Sequence, residues 1–268
     1  MLGAIIGDIS GSRFEWDNNK SKDFELFTNK CEPTDDSIMS IAICKAILGF
    51  NGDYESLSES AIEYMRSIGR QYPYCGYGGT FYHWIMGNEK PLPYNSYGNG
   101  AAMRVSACGF AAETLEQAKL FANAVTKVSH NHPEGMKGAE AIAASIFLAK
   151  TGKTISEIRN FINENYYTLD FTLDEIRDSY NFDVTCQGST PQAIEAFLES
   201  TSFEDAIRNA ISIGGDSDTI AAMAGGIAEA YYGIPNAIRK TALTFLDDEL
   251  KDIVLEFESK YPPKIISD

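Results

Sequence analysis

The chain is poor in the residues that build nitrogen and sulfur chemistry. It holds three histidines and five cysteines. The cysteines, Cys31, Cys44, Cys75, Cys108 and Cys186, are scattered, odd in number and never spaced as C-x-x-C. That spacing excludes a zinc knuckle and a disulfide framework, and it fits a reducing compartment. Positive charge is short as well: 22 lysines and arginines stand against 38 acids, for a formal net charge of -16 and a pI of about 4.6. Such a surface repels phosphate backbones and anionic lipid, so neither nucleic acid nor membrane is expected as a partner. No apolar run is long enough to span a bilayer. The opening Met1-Leu2-Gly3-Ala4-Ile5-Ile6-Gly7-Asp8 has no basic leader and reaches an acid at once, unlike a signal peptide. A cytoplasmic location is expected. No Pro/Gly/Ser-rich linker divides the chain, so residues 1–268 read as a single domain.

Strands of alternating polarity are also scarce, which disfavours a Rossmann sheet or a sandwich. Helical spacing is plentiful instead, as in Leu115, Ala118, Phe121, Ala122 and Val125 or Leu57, Ala61, Met65 and Ile68. Hydrophobic residues make up 44% of the chain, ample for a sizeable core. Three stretches, 38–48, 139–149 and 220–232, are apolar nearly all round and belong in the centre of a bundle. Thr190-Pro191 reads as an N-cap with proline at the first helical position. The fold class expected is all-α.

Two of the central helices open on acids and hydroxyls. Pro33-Thr34-Asp35-Asp36-Ser37 precedes the first, and Gly214-Gly215-Asp216-Ser217-Asp218-Thr219 precedes the third. Either alone could be an N-cap, since Thr and Asp accept from free backbone N–H groups. One cap residue suffices, however, and adjacent carboxylates repel. A shared cation would offset that repulsion and the burial. All candidate ligands are oxygen, which suits Mg²⁺, Mn²⁺ or Ca²⁺ better than zinc. Helix N-termini can converge at one end of a bundle, so separation in sequence is no obstacle.

Three further segments carry polar chemistry. Ser96-Tyr97-Gly98-Asn99-Gly100-Ala101-Ala102-Met103-Arg104 has the small residues of an anion nest, although G-N-G is also an ordinary turn. Arg104 either supports a phosphate there or pairs with a surface acid. Ser129-His130-Asn131-His132 holds two of the three histidines. No other His or Cys completes a metal site with them. His130 is either a substrate contact or a hydrogen-bonded loop histidine. Near the start, small residues around Asp8 suggest tight packing against another backbone, with Asp8 a structural hydrogen-bonder. Glu15 is either a surface acid or a general base.

Together these segments, from Gly3 through Gly233, resemble the ADP-ribosylglycohydrolase family, which includes the dinitrogenase-reductase-activating glycohydrolases. The most specific matches are Thr34-Asp35-Asp36 and Gly214-Gly215-Asp216-Ser217-Asp218-Thr219. The 98–104 segment and Ser129-His130 support them, and the run from Cys186 to Phe197 is similar to the family's late S-x-P-x-A stretch. The resemblance implies an orthogonal all-α bundle with two divalent ions, Mg²⁺ or Mn²⁺, held by Thr34, Asp35, Asp36, Asp216, Asp218 and Thr219. It implies a shuttling glutamate at Glu15, and ADP-ribose contacts from Gly98, Asn99, Gly100, Ala101, Ala102, Met103, Arg104 and His130.

The implied reaction is hydrolysis of the glycosidic bond between ADP-ribose and a modified side chain, arginine in the first instance, in an ADP-ribosylated protein or a small ADP-ribosyl conjugate. Such a reaction needs stabilised oxocarbenium-like charge and an activated water. Metal ions can orient ribose hydroxyls and polarise water, and Glu15, Asp35 or Asp216 can take the proton. The alternatives are a non-catalytic ADP-ribose binder or structural protein on the same scaffold, and a metal-dependent nucleotide phosphohydrolase.

Overall fold

A computed structural model describes residues 1–266, with fourteen α-helices in that span. The only strands among the described residues are Ile234–Pro235 and Ile265–Ile266, paired in parallel. The all-α expectation holds.

The three stretches read as central are central. Leu2–Gly11, Asp35–Leu48, Pro133–Lys150 and Ser217–Tyr232 form the buried middle, and amphipathic helices such as Tyr54–Gly69 and Phe203–Ser212 pack around it. The closest pairing is between the first helix and Ser217–Tyr232. Gly3, Gly7 and Gly11 recur every fourth residue and make one smooth ridge. A Cβ on Gly7 would lie 2.0 Å from the Ala221 carbonyl oxygen, and one on Gly11 would lie 2.6 Å from Asp218 Cα. This backbone-to-backbone contact is the tight packing expected around Asp8. It brings the last turn of one helix against the first turn of the other, and so Asp8 towards Asp218.

Pro191 departs from its expected place. The helix runs Cys186–Leu198 with Thr185 as its cap, and Pro191 lies inside it. Thr185 Oγ1 accepts from the Gly188 amide at 3.1 Å, so the helix is started a turn and a half before the proline. The missing proline N–H and its ring are tolerated there because burial of Ala193, Ile194, Ala196 and Phe197 holds the helix in place.

Candidate active site

The N-termini of Asp35–Leu48 and Ser217–Tyr232 converge. Thr34 caps the first helix, its Oγ1 accepting from the Asp36 amide. The second has no side-chain cap: Asp216 occupies the cap position but is turned elsewhere. Gly214 and Gly215, at φ 68° and 75°, deliver the chain to it through the left-handed region that favours glycine.

Asp216 receives Asn99 Nδ2 at 2.6 Å, and Asp218 Oδ1 accepts the Thr219 amide at 2.9 Å. Asp36 Oδ2 accepts from Thr219 Oγ1 at 3.1 Å, across the two helices. Asp36 Oδ1 is buried and has no hydrogen-bond partner. From the first helix, Asp8 accepts Thr34 Oγ1 at 2.6 Å, the Thr34 amide at 2.9 Å, the Ser37 amide at 3.0 Å and the Ser37 hydroxyl.

Two carboxylate triads result, Asp8–Asp36–Asp218 and Glu15–Asp216–Asp218. Within each, one oxygen per residue lies within 4.8 Å of the others, and Asp218 belongs to both. The electrostatics follow from that crowding. Burial raises the Asp36 and Asp218 carboxyls well above the usual carboxylate range, and neighbouring acids add to the effect. Burial pushes Asp8 up to about 6, against its hydrogen bonds from Ser37 and Thr34. Burial, with Asp216 beside it, pushes Glu15 up to about 7. Among the described residues no lysine or arginine forms an ion pair with any of these acids. An orphaned buried oxygen amid oxygen donors suits a hard divalent cation.

Glu15, Asp36, Asp216 and Asp218, but not Asp8, line the floor of a cavity of about 690 Å³. Its walls include Tyr77, Phe81, Tyr94, Gly98, Asn99, Gly100, Met103 and His130. At its mouth Trp16 stacks on Phe182, with ring centroids 5.1 Å apart. Glu15 is held near the centre by its own segment: Asn18 exchanges hydrogen bonds with Gly215, at 2.7 Å and 3.0 Å, and Lys20 binds the Tyr180 and Ile213 carbonyls.

Most residues singled out in the sequence meet here, with five adjustments. Asp35 lines the cavity but lies outside both triads; its amide donates to the Cys75 carbonyl at 2.8 Å and its Oδ1 faces Gly76. Asp8, read as purely structural, joins a triad. The 98–104 segment is not an open nest. The amides of Gly98, Asn99, Ala101, Ala102 and Met103 bind Ser96 Oγ, the Val184, Gly98 and Asn99 carbonyls within the protein, and Ala101 and Ala102 are buried away from the cavity. Arg104 is fully buried, meets no surface acid and does not itself line the cavity; it donates to Ser129 Oγ at 2.8 Å and Val125 O at 3.4 Å. His132 caps the Pro133–Lys150 helix, accepting from the Glu134 amide. Tyr77, Phe81 and Phe182 of the aromatic walls come from 72–84 and 171–185, the segments expected to set the leaving group. The stretch 72–84 is rich in Tyr, Phe and Trp, and Trp16 stands beside Glu15.

The fold and site define an all-helical protein with an acidic centre at the floor of a deep cleft. A model of the family described as ADP-ribosylglycohydrolase matches residues 1–263, and the chain belongs to that family, a family of hydrolases. It is 27% identical to ADP-ribosylhydrolase ARH3 of Xenopus tropicalis over 87% of this chain and 86% of that one. It is 25% identical to the Homo sapiens ARH3, over 87% and 84%. It is also 25% identical to ADP-ribosylarginine hydrolase Tri1 of Pseudomonas putida, over 90% and 73%. A solved ADP-ribosylglycohydrolase-related protein complex shares the fold, with a TM-score of 0.65, 19% identity, and 96% and 95% coverage.

Proposed function

We propose that this protein uses two divalent cations, Mg²⁺ or Mn²⁺, to hydrolyse the bond between ADP-ribose and an arginine side chain. The observation that carries the metal reading is the buried Asp36 Oδ1 without a partner, inside two carboxylate triads that share Asp218. Asp36, Asp216, Asp218, Thr34 and Thr219 would hold the ions, with Asp8 behind them and Asp35 at the rim. When bound, the ions supply positive charge that orients the ribose hydroxyls and acidifies water.

The chain's own residues supply the rest. Glu15, half-buried beside Asp216, takes the proton from the attacking water. The water oxygen bonds to the ribose anomeric carbon, the carbon–nitrogen bond breaks, and the proton passes to the departing guanidine. Asn99 keeps Asp216 in place during the step. Phe81, Tyr94 and His130 form a wall suited to the flat, polar remainder of ADP-ribose. The arginine preference is supported by the mouth, where the exposed Trp16–Phe182 stack beside Glu15 offers aromatic faces and negative charge to a guanidinium. The relative named as an ADP-ribosylarginine hydrolase supports it as well.

The substrate would be an ADP-ribosylated protein or a small ADP-ribosyl conjugate. The direct test is incubation with ADP-ribosyl-arginine and ADP-ribosyl-serine peptides in Mg²⁺ or Mn²⁺, with products resolved by chromatography. Intact ADP-ribose, released faster from arginine, is the expected result. Release of AMP or inorganic phosphate would show a phosphohydrolase, and binding without turnover would show a sensor.

A further inference from the structure

A cavity suited to a pyrophosphate needs positive charge or aimed donors, yet neither lysine nor arginine is among its lining residues. The amides of the 98–103 turn are largely engaged internally. The buried basic group behind the wall is Arg104, whose guanidinium lies over the Phe81 ring, 5.4 Å from its centroid. Among the described residues it forms no ion pair, and its Nε and Nη1 have no hydrogen-bond partner. A buried cation without a counterion is costly, which makes its one strong side-chain contact informative.

That contact leads to the cavity. Arg104 Nη2 lies 2.8 Å from Ser129 Oγ, and Ser129 Oγ lies 2.8 Å from His130 Nδ1. A guanidinium only donates, so Ser129 Oγ accepts from it and has its own hydrogen left for His130 Nδ1. A ring nitrogen that accepts carries no hydrogen, which leaves the imidazole hydrogen on Nε2. His130 Nε2 faces the glycine turn in the cavity wall: a Cβ on Gly100 would lie 3.3 Å from it and one on Gly98 3.7 Å.

We propose that Arg104 and Ser129 are positioning residues that hold His130 as the neutral Nε2–H tautomer, aiming a donor polarised by the buried guanidinium at an anionic group of the ligand above Gly98 and Gly100. The positive charge reaches the ligand through two hydrogen bonds rather than by contact, because a charged donor polarises the chain it feeds. Burial, with Arg104 nearby, holds the imidazole's pKa well below its usual value, which keeps the ring neutral. Glycines at 98 and 100 leave the space a ligand oxygen needs to meet Nε2. The anionic group is a phosphate oxygen of ADP-ribose, so this last part rests on the proposed function.

The test is ¹⁵N NMR of the imidazole rings, simplified by there being three histidines, combined with calorimetry of ADP-ribose and of adenosine in Mg²⁺. Wild-type His130 should show a pyridine-like Nδ1 and a pyrrole-like Nε2. Ser129→Ala should give a mixture of tautomers and weaken ADP-ribose by about tenfold while leaving adenosine unchanged, and Ser129→Thr should restore both. Arg104→Met should weaken ADP-ribose in the same selective way; should it fail to fold, Ser129→Ala carries the test alone. A wild-type His130 with its hydrogen on Nδ1 overturns the proposal. So does a Ser129→Ala that leaves tautomer and affinity intact, or that weakens both ligands equally. A correct tautomer in a wild type that binds no ADP-ribose contradicts the proposed ligand instead, so the two failures are distinguishable.

Discussion

Thr219 Oγ1 donates to Asp36 Oδ2 at 3.1 Å, across 183 residues of chain. This one hydrogen bond joins the first turns of two central helices and leaves Asp36 Oδ1 with no partner. The centre is therefore assembled by packing, and a bound cation would offset the crowding of its carboxylates.

Replacing one of the repelling acids should separate stability from function. Asp36→Asn is expected to raise the melting temperature of metal-free protein while abolishing activity. In wild type, Mg²⁺ or Mn²⁺ at about 100 times Kd should add about 2.7 kcal/mol of stability, and the variant should lose most of that gain. Thermal melts with and without metal would check both.

The pH dependence of the metal-free protein has a definite sign. Burial pushes Asp8 up to about 6 and Glu15 up to about 7 in the folded chain, above the ordinary carboxylate values of 3.8 and 4.5. The folded state therefore binds more protons than the unfolded state across that window. Their contribution is fully present below about pH 4 and is lost as pH rises through about 7. Denaturant melts of metal-free protein should show stability falling from about pH 5 to about pH 8. Saturating metal should flatten the slope, because it stabilises the ionised carboxylates.

Glu15→Gln removes the proposed base without removing volume. We expect kcat to fall by about 10²-fold or more, with ADP-ribose affinity changed far less. Steady-state kinetics alongside calorimetry would separate the two.

Trp16→Ala tests the mouth. If a guanidinium rests on the Trp16–Phe182 stack, the variant should raise KM for ADP-ribosyl-arginine by about fivefold or more and leave free ADP-ribose binding nearly unchanged. Equal effects on both would assign the stack to ADP-ribose itself.

Gly7→Ala tests the packing that brings Asp8 to Asp218. The added Cβ would sit 2.0 Å from the Ala221 carbonyl oxygen, which neither helix can avoid without moving apart. A loss of about 3 kcal/mol or more is expected by denaturant titration, with weaker metal binding in what remains folded.

The helices and the two acid clusters were legible because each is a local pattern: apolar on every face, then acids at the first turn. The meeting of those first turns was legible only as a possibility, since convergence is a property of packing. Asp8 was read as structural because its neighbours are small, and that is true; the same close approach also makes it part of a triad. Arg104 was misplaced because a residue beside a glycine turn looks aimed at a ligand. Its neighbour Met103 lines the cavity, and Arg104 itself runs into the core. The glycine turn lines the cavity as expected, but most of its amides donate to Ser96 Oγ or to carbonyls within the protein. Pro191 read as a helix start because local preference favours that, while the burial of residues 193–198 extends the helix back to Cys186.

The most direct test is release of ADP-ribose from an ADP-ribosyl-arginine peptide by enzyme stripped with EDTA, then titrated with Mg²⁺ or Mn²⁺. The account predicts no release from stripped enzyme, and full recovery on addition of metal in wild type but not in Asp36→Asn or Asp218→Ala. Undiminished release by stripped enzyme, or full activity in both variants, would contradict it.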